Sequence, residues 1–360
     1  MSGPAPDGTA EHPWASRELD DLTALTALTG LASAHGVRYH MTAGDPPPSE
    51  ADDWLPADRL LTPGTPELDR LLTAEYESSG HRTAHAAALT LAAVYAGRVT
   101  AAAVLQWALD GTVWDVRPHN VLVRPGTHGI AGVRLRVPAV LTAPARGTAT
   151  GTVTGAATGA ATGAAADRRD APGSPGVRGA PEASEGPGAP GAPDAPEASE
   201  GPAEPEAPGG PEAPGGPEAA EAPGPGGRSA ALPALHEAVL HSHLLPLADA
   251  LHRATRAGRR QLRGGVAHGC ATALCAATRP GPAQLARRWR EFTAPVPELA
   301  RLGDVVEIAH ADGSARLRYL RNTCCLFYTS AEAVRCASCC LTPREERVRA
   351  YAGRTGPTSR

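Results

Sequence analysis

A long stretch of low complexity divides this chain of 360 residues. Residues 143–228 are almost wholly Ala, Gly, Pro, Thr, Ser and Glu, and they repeat units such as Thr-Gly-Ala-Ala and Pro-Glu-Ala-Pro-Gly-Gly. Such a segment has too few large apolar side chains to offset the conformational entropy that folding removes. We therefore predict a disordered insert in a surface loop. It would join two parts of one domain, residues 16–142 and 229–345, with a disordered N-terminus at 1–15 and a tail at 346–360.

The residues before the insert begin with helical patterns. Ser16 is placed to cap a first helix whose leucines mark one face, and Gly36 is placed to end it. Thr65, followed by Pro and Glu, opens a second helix. The alanine-rich residues 82–109 predict a third helix, interrupted near Gly97.

The pattern then changes to a period of two, which indicates short strands at Val121 and Val123 and again over residues 133–137. After the insert, a leucine stripe over residues 235–251 and a glycine-containing stretch at 258–277 predict two more helices. Residues 304–320 read as a hairpin that leads directly into Cys324. The predicted fold class is α+β: mainly helical, with short antiparallel strands and a C-terminal cysteine-rich loop.

Five of the seven cysteines lie between positions 324 and 340. Cys324 and Cys325, ten further residues, Cys336, two residues and Cys339 make a set of four thiolates, which an iron-sulfur cluster or a structural zinc ion requires. Cys340 is a spare. Disulfides are disfavoured because adjacent cysteines bond only in a strained geometry. The spacing Cys336-x-x-Cys339 also suits zinc, but adjacent ligands suit a two-iron cluster better, so a [2Fe-2S] cluster is favoured over zinc.

The string Arg321-Asn-Thr-Cys-Cys-Leu-Phe-Tyr328, followed by Cys336-x-x-Cys339-Cys-Leu341, resembles the C-terminal motif of the FhuF-type ferric-siderophore reductases. The resemblance implies that Cys324, Cys325, Cys336 and Cys339 bind a [2Fe-2S] cluster. It also implies an oxidoreductase that reduces Fe(III) to Fe(II) by one electron and so releases iron from imported siderophores. Outside the motif the resemblance is fainter: Arg263 and Gly265 stand where these proteins often have Trp and Asn.

The reaction implied needs an electron from elsewhere. No Gly-x-Gly-x-x-Gly motif opens a βαβ unit, so we expect an external donor such as a ferredoxin, a flavoprotein or reduced flavin. Cations near a cluster ease its reduction, and Arg321, Arg335 and Arg344 are candidates, although most arginines are simply solvated. A further run of arginines, residues 253–263, is more often a solvated helix face; it could also attract an anionic chelate or touch membrane phosphates.

Other polar residues have ordinary interpretations. His81 and His85 have the spacing of a two-histidine metal site but read as surface histidines, while Cys270 and Cys275 read as buried thiols. Nucleic acid is not an expected partner, because no aromatic residues interleave with the arginines. Core anchors are expected at Trp54, Trp107, Trp114 and Trp289.

The N-terminus lacks the pattern of a secretory signal, and no run of about 18 apolar residues occurs, so we expect a cytoplasmic protein without a transmembrane segment. Two alternatives stay open. One is a non-catalytic module, with structural zinc or a redox-sensing role. The other is a relative of the siderophore-biosynthesis synthetases, which would need an ATP site; His119-Asn120 is the one hint of it.

Overall fold

The computed structural model describes residues 14–127, 129–142, 225–277, 279–310 and 313–353. Within these ranges the strands are β1 (Ala15–Glu18), β2 (Thr42–Ala43), β3 (Leu55–Pro56), β4 (Val121–Gly126), β5 (Gly129–Leu135), β6 (Ala139–Thr142), β7 (Gly303–Ala309) and β8 (Ala315–Arg321). The α-helices are α1 (Asp21–His35), α2 (Pro66–Ser79), α3 (Ala84–Val99), α4 (Ala101–Asp110), α5 (Pro225–Leu235), α6 (Leu245–Thr255), α7 (Arg259–Cys275), α8 (Pro282–Thr293), α9 (Pro297–Ala300) and α10 (Arg344–Ala352).

The described strands form three small sheets. Four strands pair in the order β2-β5-β4-β3, β1 pairs with β6, and β7 pairs with β8; all pairings are antiparallel except the short β2–β5 pair. The strands predicted around Val121 and Val133 are β4 and β5, and the predicted hairpin is β7–β8. The α+β fold class is confirmed.

Helices α3 and α7 pack closely at the centre of the fold because small residues line both of them. A Cβ atom added to Gly269 would lie 2.6 Å from the backbone N of Gly97, and one added to Gly265 would lie 3.1 Å from the backbone N of Ala93. Neither position has room for a side chain. These two glycines of α7 therefore permit the close approach of its backbone to that of α3.

The interruption predicted near Gly97 lies at Thr100, three residues later. Gly97 lies inside α3, where a Cβ atom would meet Gly269 Cα at 3.6 Å, and the helix ends instead at Thr100. The Thr100 hydroxyl bonds the carbonyl of Ala96, and α4 begins at the next residue. A glycine in a helix can serve helix packing rather than a break, and periodicity alone does not distinguish the two.

The predicted cap of the first helix is also wrong. Ser16 lies in β1 opposite Leu141, and Asp20 caps α1 by accepting a hydrogen bond from the backbone N of Thr23 at 2.9 Å. Gly36, with φ of 106°, ends the helix as predicted. Of the predicted leucine face, only Leu28 and Leu31 are buried; Leu22 and Leu25 are exposed, since leucines every three residues drift around a helix of 3.6 residues per turn.

The predicted leucine stripe over residues 235–251 is buried throughout. It runs through α5, a π-helical segment (His236–Leu244) and α6. Inside the π segment His243 is fully buried: its Nδ1 donates to the Val116 carbonyl at 2.7 Å, and its Nε2 accepts from the Tyr95 hydroxyl at 2.8 Å. Burial lowers the pKa of His243 to about 4, so the ring is neutral.

Two predicted disordered segments fall mainly outside the described residues. They are the N-terminus, of which residues 1–13 are not described, and the insert, of which 143–224 are not described. Helix α5 begins at Pro225, inside the range assigned to the insert. The four predicted tryptophan anchors are buried.

Among the described residues, no single helix is long and apolar enough to cross a membrane. Helices α3 and α4, which are bent by 45° relative to each other, together have the length and composition of a membrane span. Most of their apolar side chains are, however, buried in the core.

Candidate metal centre

The β7–β8 hairpin delivers the cysteine loop to a fixed place. Arg321 is the last residue of β8 and pairs with Gly303, and the backbone N of Asn322 donates to the Leu302 carbonyl at 2.8 Å. Cys324 follows two residues later. Beside it, Thr323 is buried against Gly264 of α7; a Cβ atom at Gly264 would lie 2.8 Å from Thr323 Cβ. The start of the loop is therefore seated on the central helix, at a position where only glycine fits.

The middle of the loop is held by the turn between α2 and α3. The backbone N of Ala331 donates to the Ser79 carbonyl at 2.9 Å. The Nδ1 atom of His81 lies 3.4 Å from Thr329 Oγ1, and its Nε2 atom lies 2.9 Å from Thr90 Oγ1. The His81 ring also contacts Phe327 edge-on. Only 3% of His81 is exposed, so its interpretation as a surface histidine is wrong. It fastens the loop to the helical core.

The second half of the loop forms a tight turn closed by α10. The backbone N of Cys339 donates to the Cys336 carbonyl at 2.9 Å. From α10, the guanidinium of Arg347 donates to the carbonyl of Arg321 at 2.9 Å and contacts that of Ser338 at 3.5 Å. Because these carbonyls lie in opposite halves of the loop, Arg347 holds the two halves together.

All five thiols of the loop are free. The Sγ atoms of Cys325 and Cys336 are 3.8 Å apart. Two thiolates on one tetrahedral metal with bonds of about 2.3 Å lie about 3.8 Å apart, so this pair has the spacing of two ligands of one metal atom. Cys324 Sγ accepts from the backbone N of Leu326 at 3.4 Å. Cys325 and Cys339 are buried, and the other three thiols are half-buried.

The thiols perturb one another's ionisation. A hydrogen bond from Cys336 lowers the pKa of Cys325 to about 6, and the same bond raises the pKa of Cys336, so the pair shares one proton. Burial and the neighbouring Cys324 and Cys339 raise the pKa of Cys340. Within the described ranges, no three His, Cys, Asp or Glu side chains converge as a single metal ion would require.

The surroundings of the thiols suit an anionic group. Several buried donors lack a hydrogen-bond partner: Arg321 Nε and Nη2, Thr323 Oγ1, Ser330 Oγ and Arg347 Nε. Unpaired buried donors are rare and call for an acceptor. The sulfur atoms of a cluster with all-cysteine ligands are anionic acceptors, so the residues present fit a [2Fe-2S] group in both their thiols and their donors.

Residues 321–341 match the family model of the FhuF 2Fe-2S C-terminal domain. This segment is a FhuF-type [2Fe-2S] domain, and its cofactor is a [2Fe-2S] cluster. The match covers only this short part of the 360-residue chain. No curated protein and no solved structure matches the chain.

All four predicted ligands lie in the FhuF-type segment, and their assignment as ligands stays a prediction. The structure brings Cys325 together with Cys336, and Cys340, the thiol that the spacing leaves as a spare, is half-buried.

The remaining predicted groups lie apart from the thiols or are paired. The arginines of residues 253–263, interpreted above as a helix face, do not lie on one helix. Helix α6 ends before Arg256, which has φ of 60°, and α7 begins at Arg259. Arg263 is paired with Glu298 at 2.8 Å. Cys270 and Cys275 are buried in α7, and burial raises the pKa of each to about 12.

Sequence reasoning missed the residues that support the loop, namely His81 and Arg347. The pair His81 and His85 does not share a helix, because α3 begins at Ala84. Helix α10 is not predicted by the sequence pattern, and its Arg347 is 7% exposed. A buried arginine flanked by charged residues leaves no signal in hydrophobic periodicity.

Proposed function

We propose that this protein is a ferric-siderophore reductase of the cytoplasm, which passes single electrons to Fe(III) held in a siderophore. The observation that carries the proposal is the FhuF-type [2Fe-2S] segment, seated in a loop with half-exposed thiols. Hard oxygen donors in a siderophore hold Fe(III) tightly and Fe(II) weakly, so adding one electron releases the iron. The bound cluster supplies that one-electron chemistry.

The protein's own residues give the site an inner and an outer side. Cys325 and Cys339 are buried on the inner side, where the loop rests on the core. Cys324, Cys336 and Cys340 are half-exposed, so one edge of the site faces solvent and an acceptor can approach it. The exposed Arg335, next to Cys336, adds positive charge at that edge, which favours an anionic chelate.

The electron donor would be a separate protein or reduced flavin. The outer edge carries exposed apolar side chains, Tyr328, Val334 and Leu341, at 40%, 50% and 51% exposure. Exposed apolar residues beside a redox centre suit a transient contact with a donor protein. No dinucleotide-binding motif occurs in the sequence, which supports an external source of electrons.

The test uses protein purified without oxygen and reduced with dithionite, from which excess reductant is removed. It is then mixed with ferric hydroxamate or ferric catecholate siderophores. We expect the visible absorption of the oxidised cluster to return and one Fe(II) per reduced cluster to appear in a ferrous chelator.

Gallium(III) siderophores are the control, since gallium has nearly the size of Fe(III) and the same charge but does not accept the electron. Reoxidation that is no faster with iron than with gallium would contradict the proposal. Purified protein that contains zinc and no iron would point instead to the structural-zinc alternative.

A further inference from the structure

Arg321 differs from the other arginines near the cysteine loop. It is 3% exposed, whereas Arg335 is exposed and Arg344 is half-exposed and paired with Asp304 at 2.9 Å. Arg347 is buried but donates to two carbonyls. Among the described residues, no carboxylate is found in an ion pair with Arg321, and its Nε and Nη2 atoms have no acceptor.

Burying an unpaired guanidinium is strongly unfavourable, because the charge loses its hydration and gains nothing in return. The protein groups around Arg321 do not relieve that cost. His268, whose pKa burial holds well below its usual value, is neutral, and Tyr319 is a neutral phenol whose pKa burial raises. An anion that is part of the functional protein therefore has to supply the missing acceptors.

The thiols of the loop are where that anion belongs. Arg321 ends the strand that leads into Cys324, so its position is fixed by the β7–β8 ladder rather than by a mobile loop. Arg347 links the Arg321 carbonyl to the carbonyl of Ser338, which lies between Cys336 and Cys339. A single buried cation thus lies beside both halves of the cysteine motif.

We infer that Arg321 is the internal counter-cation of the cluster, donating hydrogen bonds from Nε and Nη2 to cluster sulfur and raising the reduction potential. When an external one-electron donor reduces one of the two ferric irons, no bond breaks and no proton is required, but the negative charge of the site increases by one. A fixed cation stabilises the more negative state more strongly, so Arg321 favours electron uptake.

The test is a redox titration of the anaerobically prepared holoprotein, followed by visible absorption and electron paramagnetic resonance. We expect Arg321→Met to lower the equilibrium constant for reduction at least tenfold, which corresponds to about 59 mV for a one-electron couple. Arg321→Lys keeps the charge but lacks the planar donor pair, so its reduction potential should lie between those of the wild type and Arg321→Met.

Arg335→Met is the matched control, since it removes the same charge next to a cysteine but from an exposed position. Solvent and salt screen such a charge, so the equilibrium constant should change less than twofold. If Arg321→Met and Arg335→Met shift the potential equally, or if neither shifts it, the inference is wrong.

A purely structural role for Arg321 has a different signature. It would make the cluster-free Arg321→Met protein unfold at a lower temperature, with the potential of any loaded protein unchanged, and this result would overturn the inference. We expect the opposite, because in the cluster-free protein the buried arginine is unpaired and methionine of similar length relieves that cost.

Should Arg321→Met fail to retain its cluster, the Arg321→Lys protein still tests the inference. Its potential must fall below that of the wild type, and it must lose exchangeable-proton couplings to the reduced cluster, measured by double resonance in H2O and D2O. The inference depends on the cluster and not on the acceptor: no siderophore is present, so a failure of the proposed function leaves the result unaffected.

Discussion

The chain places cysteines in two regions with opposite environments. In α7, Cys270 and Cys275 are surrounded by the apolar core, where burial raises the pKa of both thiols to about 12. In the FhuF-type segment, Cys325 and Cys336 face each other at 3.8 Å, and their hydrogen bond lowers the pKa of Cys325 to about 6. The same side chain is thus inert in one region and prepared for metal in the other, because neighbours rather than residue type set thiol chemistry.

Particular buried polar groups in the two regions also differ in their pairing. In the helical core the buried His243 has both ring nitrogens paired, with Tyr95 and with the Val116 carbonyl. In the cysteine segment Arg321 and Thr323 are equally buried, yet they keep unpaired donors. A satisfied network specifies a fold, whereas an unsatisfied one around free thiols indicates a ligand.

The largest expected effect separates the two cysteine groups directly. Cys325→Ser should remove the visible absorption and reduce bound iron and acid-labile sulfide at least tenfold, because an alcohol ionises too weakly to replace a thiolate ligand. Cys270→Ala, the control, should keep full iron and sulfide content. Equal loss in both variants would mean that the two regions are not distinct.

Acid should destabilise the core through His243. Its pKa is about 4 when folded and near 6.5 when unfolded, so the unfolded state binds the proton more readily. The stabilising contribution is complete above pH 6.5 and is lost as the pH falls through about 4, by up to about 3 kcal/mol. Urea unfolding of cluster-free protein at pH 7 and pH 4.5 measures this loss in unfolding free energy.

His243→Gln should be less stable at pH 7 but lose less stability between the two pH values. His241→Gln, an exposed position in the same π segment, should behave as the wild type. If both variants show the wild-type pH dependence, His243 is not the group responsible.

Two glycines of α7 should report on the two regions separately. Gly269→Ala forces a Cβ atom to within 2.8 Å of the Ala96 carbonyl carbon, and we expect a loss of about 1–3 kcal/mol in unfolding free energy. Gly264→Ala presses on Thr323 instead, so it should speed cluster loss more than it lowers global stability.

Gly30→Ala in α1 serves as the control for both. Nothing lies within 4 Å of a Cβ atom added at Gly30, so the substitution should stabilise the protein by about 0.5–1 kcal/mol. Chemical denaturation and the rate of absorbance bleaching under a chelator distinguish the outcomes. Bleaching that is faster in Gly269→Ala than in Gly264→Ala would contradict the assignment of Gly264, rather than Gly269, to support of the cysteine loop.

The smallest expected effect concerns the spare thiol. Cys339→Ser should lose the cluster, and Cys340→Ser should keep it with an unchanged spectrum, as the family spacing implies. Cys340 is adjacent to Cys339 and is likewise a free thiol, which makes this comparison informative. A bleached Cys340→Ser protein alongside an intact Cys339→Ser protein would replace Cys339 by Cys340 in the ligand set.

Hydrophobic pattern predicted much of this fold. The buried stripe over residues 235–251, the strands at Val121 and Val133 and the β7–β8 hairpin all follow from periodicities of about 3.6 and 2 residues. The differences occurred where a single polar side chain decided the outcome: Asp20 rather than Ser16 caps α1, and Thr100 rather than Gly97 separates α3 from α4. Such choices depend on neighbours that are remote in sequence.

The sequence by itself determined that the chain carries a [2Fe-2S] segment at residues 321–341, and the local spacing of Cys324, Cys325, Cys336 and Cys339 predicts its ligands. Only the tertiary structure decided what surrounds those thiols: that His81 is buried against the loop, that Arg347 closes it, and that Arg321 is buried with its Nε and Nη2 donors unpaired. The physical reason is that the spacing of candidate ligands is a local property of the sequence, whereas burial and charge pairing arise only when distant segments pack together.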